Sequence, residues 1–175
     1  MMDAPEFWRG LDRTARHALP AASIVAVTIL LAMPGLIPAQ PACRTAFVIA
    51  SVYFWSLYRP ASLPAPVVAL LGVLLDLLGA SPLGLWAVLL LLEQAAVAPM
   101  RRVLVRQSFL MVWLAFTGFA VAISALEWLA RAVLDLALLP PGPILAQGLI
   151  AILLYPPLAV ALIRAHRSAA APEQA

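Results

Sequence analysis

The sequence has 175 residues, of which 65% are hydrophobic and only 11% are charged. Soluble domains carry about 25% charged residues, so the composition excludes a soluble globular protein and indicates an integral membrane protein. Spans of about 20 residues each would use most of this length, which leaves almost no room for a soluble catalytic or binding domain. The net charge of +3 comes from arginines scattered along the chain, so nucleic acid is not an expected partner.

Apolar stretches, taken in chain order, predict about six membrane-spanning helices. Breaks rich in proline, glycine or arginine separate them. The predicted spans are residues 18–37, 43–58, 63–79, 83–100, 107–130 and 143–163. The sequence therefore predicts an all-α integral membrane protein in which residues 1–175 form a single membrane domain with the spans in one bundle. Residues 168–175 are expected to be a disordered tail.

The arginines predict how this bundle is oriented. Short cytoplasmic segments of membrane proteins carry an excess of positive residues. With both termini in the cytoplasm, nine of the eleven arginines lie on that side, and the two exceptions are Arg44 and Arg131. The opposite orientation would reverse this ratio. The sequence therefore predicts a multi-pass protein with both termini in the cytoplasm.

Asp76 is the residue of the third span that most needs an explanation. A carboxylate in hydrocarbon costs roughly 3 kcal/mol or more, so charged residues inside spans usually have a use. Gly72, Asp76 and Gly79 are spaced by four and three residues, which places them on one helical face, where small residues let another helix approach closely. Asp76 is interpreted either as a structural carboxylate that accepts hydrogen bonds from a neighbouring helix end or loop, or as part of a ligand or ion site.

Residues 79–84 predict a short outer turn between the third and fourth spans. Pro82 suits a position near a helix start, and Ser81 is a candidate cap for the fourth span. Glu93 and Gln94 lie near the middle of that span, where exposure to lipid would be costly. Glu93 could be a neutral acid bonded to a neighbouring helix, a partner for an arginine, or part of a solute site with Asp76.

The segment Tyr58-Arg59-Pro60 predicts a tight cytoplasmic connection, because the prolines that follow it oppose a helix and Tyr58 and Arg59 suit a membrane interface. It is interpreted as a membrane-surface turn or, alternatively, as a docking surface for a cytoplasmic partner.

Two further features lie in the last two spans. Arg131 is four residues from both Glu127 and Asp135, so it can pair with either acid on one helix face. Alternatively, this face is an amphipathic stretch at the outer surface that contacts lipid headgroups or a periplasmic partner. Pro156 and Pro157 remove two backbone donors, so they predict a break or kink near the centre of the sixth span.

Catalytic signals are weak throughout the sequence. Two membrane carboxylates, Asp76 and Glu93, invite comparison with intramembrane acid proteases, but nothing in the sequence fixes the distance between them. His17 and His166 show neither metal-ligand spacing nor a nucleophile partner. There is no phosphate-binding glycine loop. We therefore expect no catalytic residue, no metal site and no cofactor.

An ordered set of short motifs suggests a family. Residues 53–60 read YFWSLYRP, and they are followed by GVLLDLLG at 72–79 and SPLG at 81–84. This succession resembles the rod shape-determining protein MreD family, and the length, the span number and the proline in the last span also fit. The resemblance implies eight motif positions, which would contact a partner or brace the fold: Tyr58, Arg59, Pro60, Gly72, Asp76, Gly79, Pro82 and Gly84.

The resemblance also implies a function. Members of this family are non-enzymatic components of the bacterial cell-elongation machinery in the inner membrane, where they help to organise peptidoglycan synthesis and cell shape. The implied partners are MreC above all, then MreB, RodA and a class B penicillin-binding protein, directly or through the complex, and membrane lipid. The family fold is similar to the substrate-binding subunits of energy-coupling-factor transporters. A solute-binding subunit of such a transporter is therefore the alternative function.

Overall fold

The computed structural model describes residues 20–33, 40–79, 81–137 and 140–169, with side chains described up to residue 164. This part of the chain contains helices, turns and no strand, which confirms the predicted all-α class. A short 3-10 helix, Pro60–Ser62, follows the second of the six α-helices in the described residues. The α-helices are α1, Pro20–Leu30; α2, Gln40–Tyr58; α3, Ala65–Gly79; α4, Leu85–Leu104; α5, Phe109–Leu134; and α6, Gly142–Ala169.

The second helix, α2, forms the centre of the bundle. Nearly every residue from Arg44 to Leu57 is buried, and α2 packs most extensively against α6 and α4. Around it, α3 pairs with α4, and α5 pairs with α6. Polar side chains within membrane helices usually face protein, because exposure to lipid is costly. The buried polar residues Arg44, Ser51 and Ser56 of α2 therefore fit its central position.

An aromatic cluster joins α2 to α5 and α6. The ring of Tyr53 lies 5.1 Å from that of Phe116 and 5.5 Å from that of Tyr155, measured between centroids. Phe116 and Tyr155 are themselves stacked at 4.4 Å. The Tyr53 hydroxyl donates a hydrogen bond to the Val112 carbonyl, 3.1 Å away, which satisfies its polar end inside the core.

Chain direction alternates between consecutive helices from α2 to α6, because the connections between them are short. Contacts such as that between Glu127, late in α5, and Gln147, early in α6, show the antiparallel arrangement. We call the end of the bundle where α2, α4 and α6 begin the Asp76 end. The opposite end is called the Arg101 end.

Two helices are long and apolar enough to cross a membrane: α5, and α6 over Gly142–Arg164. Their most apolar windows have a mean hydropathy of 2.2 and 2.0. The described part of α1 and helix α3 are also apolar but are shorter than 18 residues. These lengths and compositions agree with a membrane protein, and the six-span bundle remains a prediction.

The predicted break in the last span is wrong. Helix α6 continues through Pro156 and Pro157 from Gly142 to Ala169. Two prolines remove only two of the backbone donors of this long helix, and neighbouring helices help it to tolerate them. Tyr155, directly before the prolines, is buried against Phe116 and holds this part of α6 on the core. Of the tail predicted to be disordered, residues 168 and 169 belong to α6 and residues 170–175 lie outside the described residues, as does His17.

Candidate functional site

Asp76 lies in the last turn of α3 and is 1% exposed. Its carboxylate accepts three hydrogen bonds from the segment that follows α3. Oδ2 accepts from the Gly84 amide at 2.8 Å, and Oδ1 accepts from the Trp86 amide and the Ser81 hydroxyl, each at 3.1 Å. The surrounding donors therefore compensate the burial of this carboxylate.

Two of these donors belong to the start of α4. The first amides of a helix have no partner within the helix, and the partial positive charge there favours an anion. Asp76 thus caps α4 from the preceding helix. The predicted cap, Ser81, is wrong: Gly84 occupies the N-cap position with a left-handed φ of 95°, and Ser81 instead donates to Asp76. Glycine suits position 84 because other side chains rarely adopt this φ.

The glycines of the third helix face different surroundings. A Cβ atom added at Gly72 would lie 2.3 Å from the Cα and 2.4 Å from the backbone nitrogen of Ala87 in α4. At this point the α3 and α4 backbones are too close for any side chain. A Cβ atom added at Gly79 would meet only ordinary contacts, 3.5 Å from the Ser81 hydroxyl and 3.6 Å from Nη2 of Arg44. Close helix approach therefore requires glycine at position 72 and does not require it at position 79.

The other half of the motif lies at the Arg101 end. Tyr58 is the last residue of α2, Arg59 is exposed, and Pro60 begins the 3-10 helix. Beside them, Nε of Arg101 donates to the Leu57 carbonyl at 2.8 Å and so satisfies one acceptor at the end of α2. The structure therefore separates the motif positions into two groups at opposite ends of the bundle. Pro82 is exposed in the turn at the Asp76 end.

Glu93 and Gln94 do not join Asp76 in one site. Glu93 is 1% exposed, and neither carboxyl oxygen has a hydrogen-bond partner in the described part of the chain. Gln94 donates to the Leu63 carbonyl at 2.7 Å. Since Glu93 follows Trp86 by seven residues along α4, about 10 Å separates the two along the helix axis. Among the described residues, Glu93 is bonded neither to a neighbouring helix nor to an arginine.

A third buried carboxylate, Glu127, has partners on α5 and α6. Its Oε1 lies 2.9 Å from Nη2 of Arg131, and its Oε2 accepts from Nε2 of Gln147 at 2.8 Å. Of the two acids considered for Arg131, Glu127 is the partner, and its side chain is only 2% exposed. Sequence reasoning missed Gln147. The available signal was a lone amide in an apolar stretch of α6, since polar side chains within spans usually face protein.

Two cavities lie near these residues at the Asp76 end. One, of about 490 Å³, lies between α5 and α6, and the other, of about 480 Å³, is bounded by α2, α5 and α6. Asp76, Glu93 and Gln94 line neither of them. The two cavities therefore do not coincide with the solute site that the sequence suggested around Asp76 and Glu93.

Fold and site together define a class: an all-helical membrane protein in which Asp76 and Gly72 hold two helices together. A family model, rod shape-determining protein MreD, matches residues 13–164, nearly the whole chain. The chain therefore belongs to the MreD family, a membrane protein family of the bacterial rod-shape machinery. No curated protein and no solved structure matches it.

Proposed function

We propose that this protein is a non-enzymatic, multi-pass component of the bacterial inner membrane that binds MreC and helps to organise peptidoglycan synthesis during cell elongation. MreB, RodA and a class B penicillin-binding protein contact it directly or through the complex. The family match over residues 13–164 is the observation that carries this proposal.

The surroundings of Asp76 support a structural role for this residue of the motif segment. Every hydrogen bond described for its carboxylate comes from Ser81, Gly84 or Trp86 of the same chain. A carboxylate engaged in this way fixes the α3–α4 turn. Intramembrane acid proteases need two carboxylates that share a proton, and Glu93 lies about two helical turns along α4 from the amide that binds Asp76.

The proposal includes a six-span bundle with both termini in the cytoplasm, of the kind found in the substrate-binding subunits of energy-coupling-factor transporters. The six α-helices of the described residues and the distribution of the arginines support it. In this orientation the exposed Arg59 and the partly exposed Tyr58 face the cytoplasm. They are then available to the headgroup region or to a cytoplasmic partner.

Affinity purification tests the proposal. The tagged protein would be extracted from its native membrane in mild detergent, and co-purifying proteins would be quantified by mass spectrometry. We expect enrichment of MreC together with elongation enzymes. The Asp76→Ala variant should lower the yield of this complex, and Asp135→Ala, a change at the exposed acid directly after α5, is the matched control.

Two results would contradict the proposal. One is a well-expressed wild-type protein that enriches none of these partners. The other is enrichment of a transporter's membrane coupler and ATPases, which would instead identify a solute-binding subunit. The structure offers that alternative little support, since neither cavity is lined by the acids that were candidate solute ligands.

A further inference from the structure

The two cavities at the Asp76 end adjoin one another and differ in chemistry. Both are lined in part by Ile144 of α6. The 480 Å³ cavity, which we call the polar cavity, has Glu127, Arg131 and Gln147 in its wall. The 490 Å³ cavity, which we call the apolar groove, is lined almost entirely by apolar side chains. The polar cavity and the apolar groove together suit an amphipathic ligand, with one polar end and one apolar end.

Arg131 gives the polar cavity its capacity to bind an anion. Its side chain is 29% exposed, and buried Glu127 holds the guanidinium through Nε at 3.1 Å and Nη2 at 2.9 Å. An arginine carries five N–H donors, so contacts at these two nitrogens with a single carboxylate oxygen leave further donors for a ligand. A guanidinium held in a fixed orientation is suited to the geometry of a phosphate group.

The apolar groove runs from this position toward the middle of the span. It includes Trp128 and Ala125 and extends to Val121 on α5, and it is bounded by α6 on its other side. Ten residues separate Val121 from Arg131, which corresponds to about 15 Å along the helix axis. This distance is half of the roughly 30 Å hydrocarbon thickness of a bilayer, the depth of one leaflet.

The position of Arg131 along α5 agrees with a headgroup level. The 26 residues of α5 extend about 39 Å, longer than the hydrocarbon core, and Arg131 lies three residues before the end of the helix. Trp128, one turn deeper, is a residue type enriched at membrane interfaces. An amphipathic anion that binds Arg131 from the bilayer would therefore place its apolar part beside the apolar groove.

We propose that this protein holds an anionic phospholipid at the Asp76 end, with the lipid phosphate on Arg131 and one acyl chain in the apolar groove between α5 and α6. This proposal is independent of which proteins the chain assembles with. The site would fix a lipid between the helices and fill a groove that the described residues leave open.

Native mass spectrometry of the full-length protein tests the site. The detergent-purified protein would be titrated with phosphatidylglycerol and, separately, with phosphatidylcholine. We expect tighter binding of phosphatidylglycerol. Arg131→Lys keeps a positive charge beside Glu127 but removes the guanidinium fork, so binding should weaken about tenfold, the effect of losing one charge-assisted contact. The control Arg102→Lys changes an exposed arginine at the Arg101 end and should leave binding unchanged.

A second variant tests whether an acyl chain binds in the apolar groove, and it does not alter the charges. Ala125→Phe places a large side chain in the groove, whereas Ala122→Phe adds the same side chain at an exposed position of α5 that does not line it. We expect Ala125→Phe to weaken phosphatidylglycerol binding and Ala122→Phe to leave it unchanged. This pair keeps the test decisive if the Arg131 variant does not fold.

Three outcomes would overturn the proposal. Equal affinity for the two lipids would show that the negative charge of the lipid does not contribute to binding at Arg131. Unchanged binding in Ala125→Phe would show that no acyl chain occupies the apolar groove. Competition by inorganic phosphate alone, at a concentration equal to that of the lipid, would define a site for a free ion rather than for a lipid.

Discussion

Two acidic side chains, Asp76 at the end of α3 and Glu93 in the middle of α4, are buried to the same extent and differ in their surroundings. Each is 1% exposed. Asp76 accepts three hydrogen bonds from the turn and helix start beside it, and Glu93 accepts none from the described residues. A helix start provides amide donors that the middle of a helix cannot provide, since there every amide is already bonded.

Near Asp76 the backbones of α3 and α4 also approach closely, and a substitution at Gly72 has the largest expected effect on stability. Gly72→Leu should lower the free energy of unfolding by more than about 3 kcal/mol, because the first added carbon already overlaps the Ala87 backbone. The matched control is Gly118→Leu on α5, where an added Cβ meets nothing within 4 Å. Denaturant unfolding in micelles measures both variants. Equal stability of the two would show that α3 and α4 separate at little cost.

Asp76→Ala should have the next largest effect. It leaves the amides of Gly84 and Trp86 without their acceptor at a partly buried helix start, so we expect a loss of about 2 kcal/mol. Asp76→Asn keeps one acceptor oxygen and should lose less. Thermal unfolding in detergent measures the series, with Asp135→Ala as the control at an exposed acid. If Asp76→Ala unfolds like the wild type while complex formation is lost, the carboxylate serves a partner instead of the turn.

Much of the fold class and part of the Asp76 site could be predicted from the sequence. Apolar periodicity and composition gave an all-helical membrane protein, because both are local properties of the chain. The presence of a carboxylate in an apolar span also marked Asp76 as unusual. Its acceptor role was one of two readings, since the sequence does not show whether the donors lie in the same chain or in a ligand.

Other features depend on contacts between residues on different helices, which a sequence pattern does not reveal. Glu127 and Gln147 are 20 residues apart and meet only because α5 and α6 pack as neighbours. Pro156 and Pro157 do not end α6, and the Ile152 carbonyl, which Pro156 leaves without its helical donor, accepts a hydrogen bond from the Trp113 indole at 3.0 Å. The spacing of Gly72 and Gly79 gave them the same expected role, although only Gly72 faces the backbone of α4.

Glu93, unlike Asp76, has no hydrogen-bond partner among the described residues. A buried carboxyl group without a hydrogen-bond partner is unfavourable, and methionine has a similar volume and no such cost. We therefore expect Glu93→Met to raise the free energy of unfolding by about 1 kcal/mol. The measurement is denaturant unfolding beside Glu93→Gln, which keeps the shape and a polar end. A clear loss of stability in the methionine variant would show that Glu93 has a partner beyond the described residues.

The smallest effect on stability is expected at Gly79. A substitution there distinguishes a role of this glycine in folding from a role in contact with a partner. Gly79→Ala should change the free energy of unfolding by no more than about 0.5 kcal/mol, because a Cβ fits there and alanine favours a helix. If stability is unchanged but recovery of MreC falls, the exposed end of α3 is a contact surface, in contrast to Gly72. If both are unchanged, glycine at this position has no role in folding or in recovery of MreC.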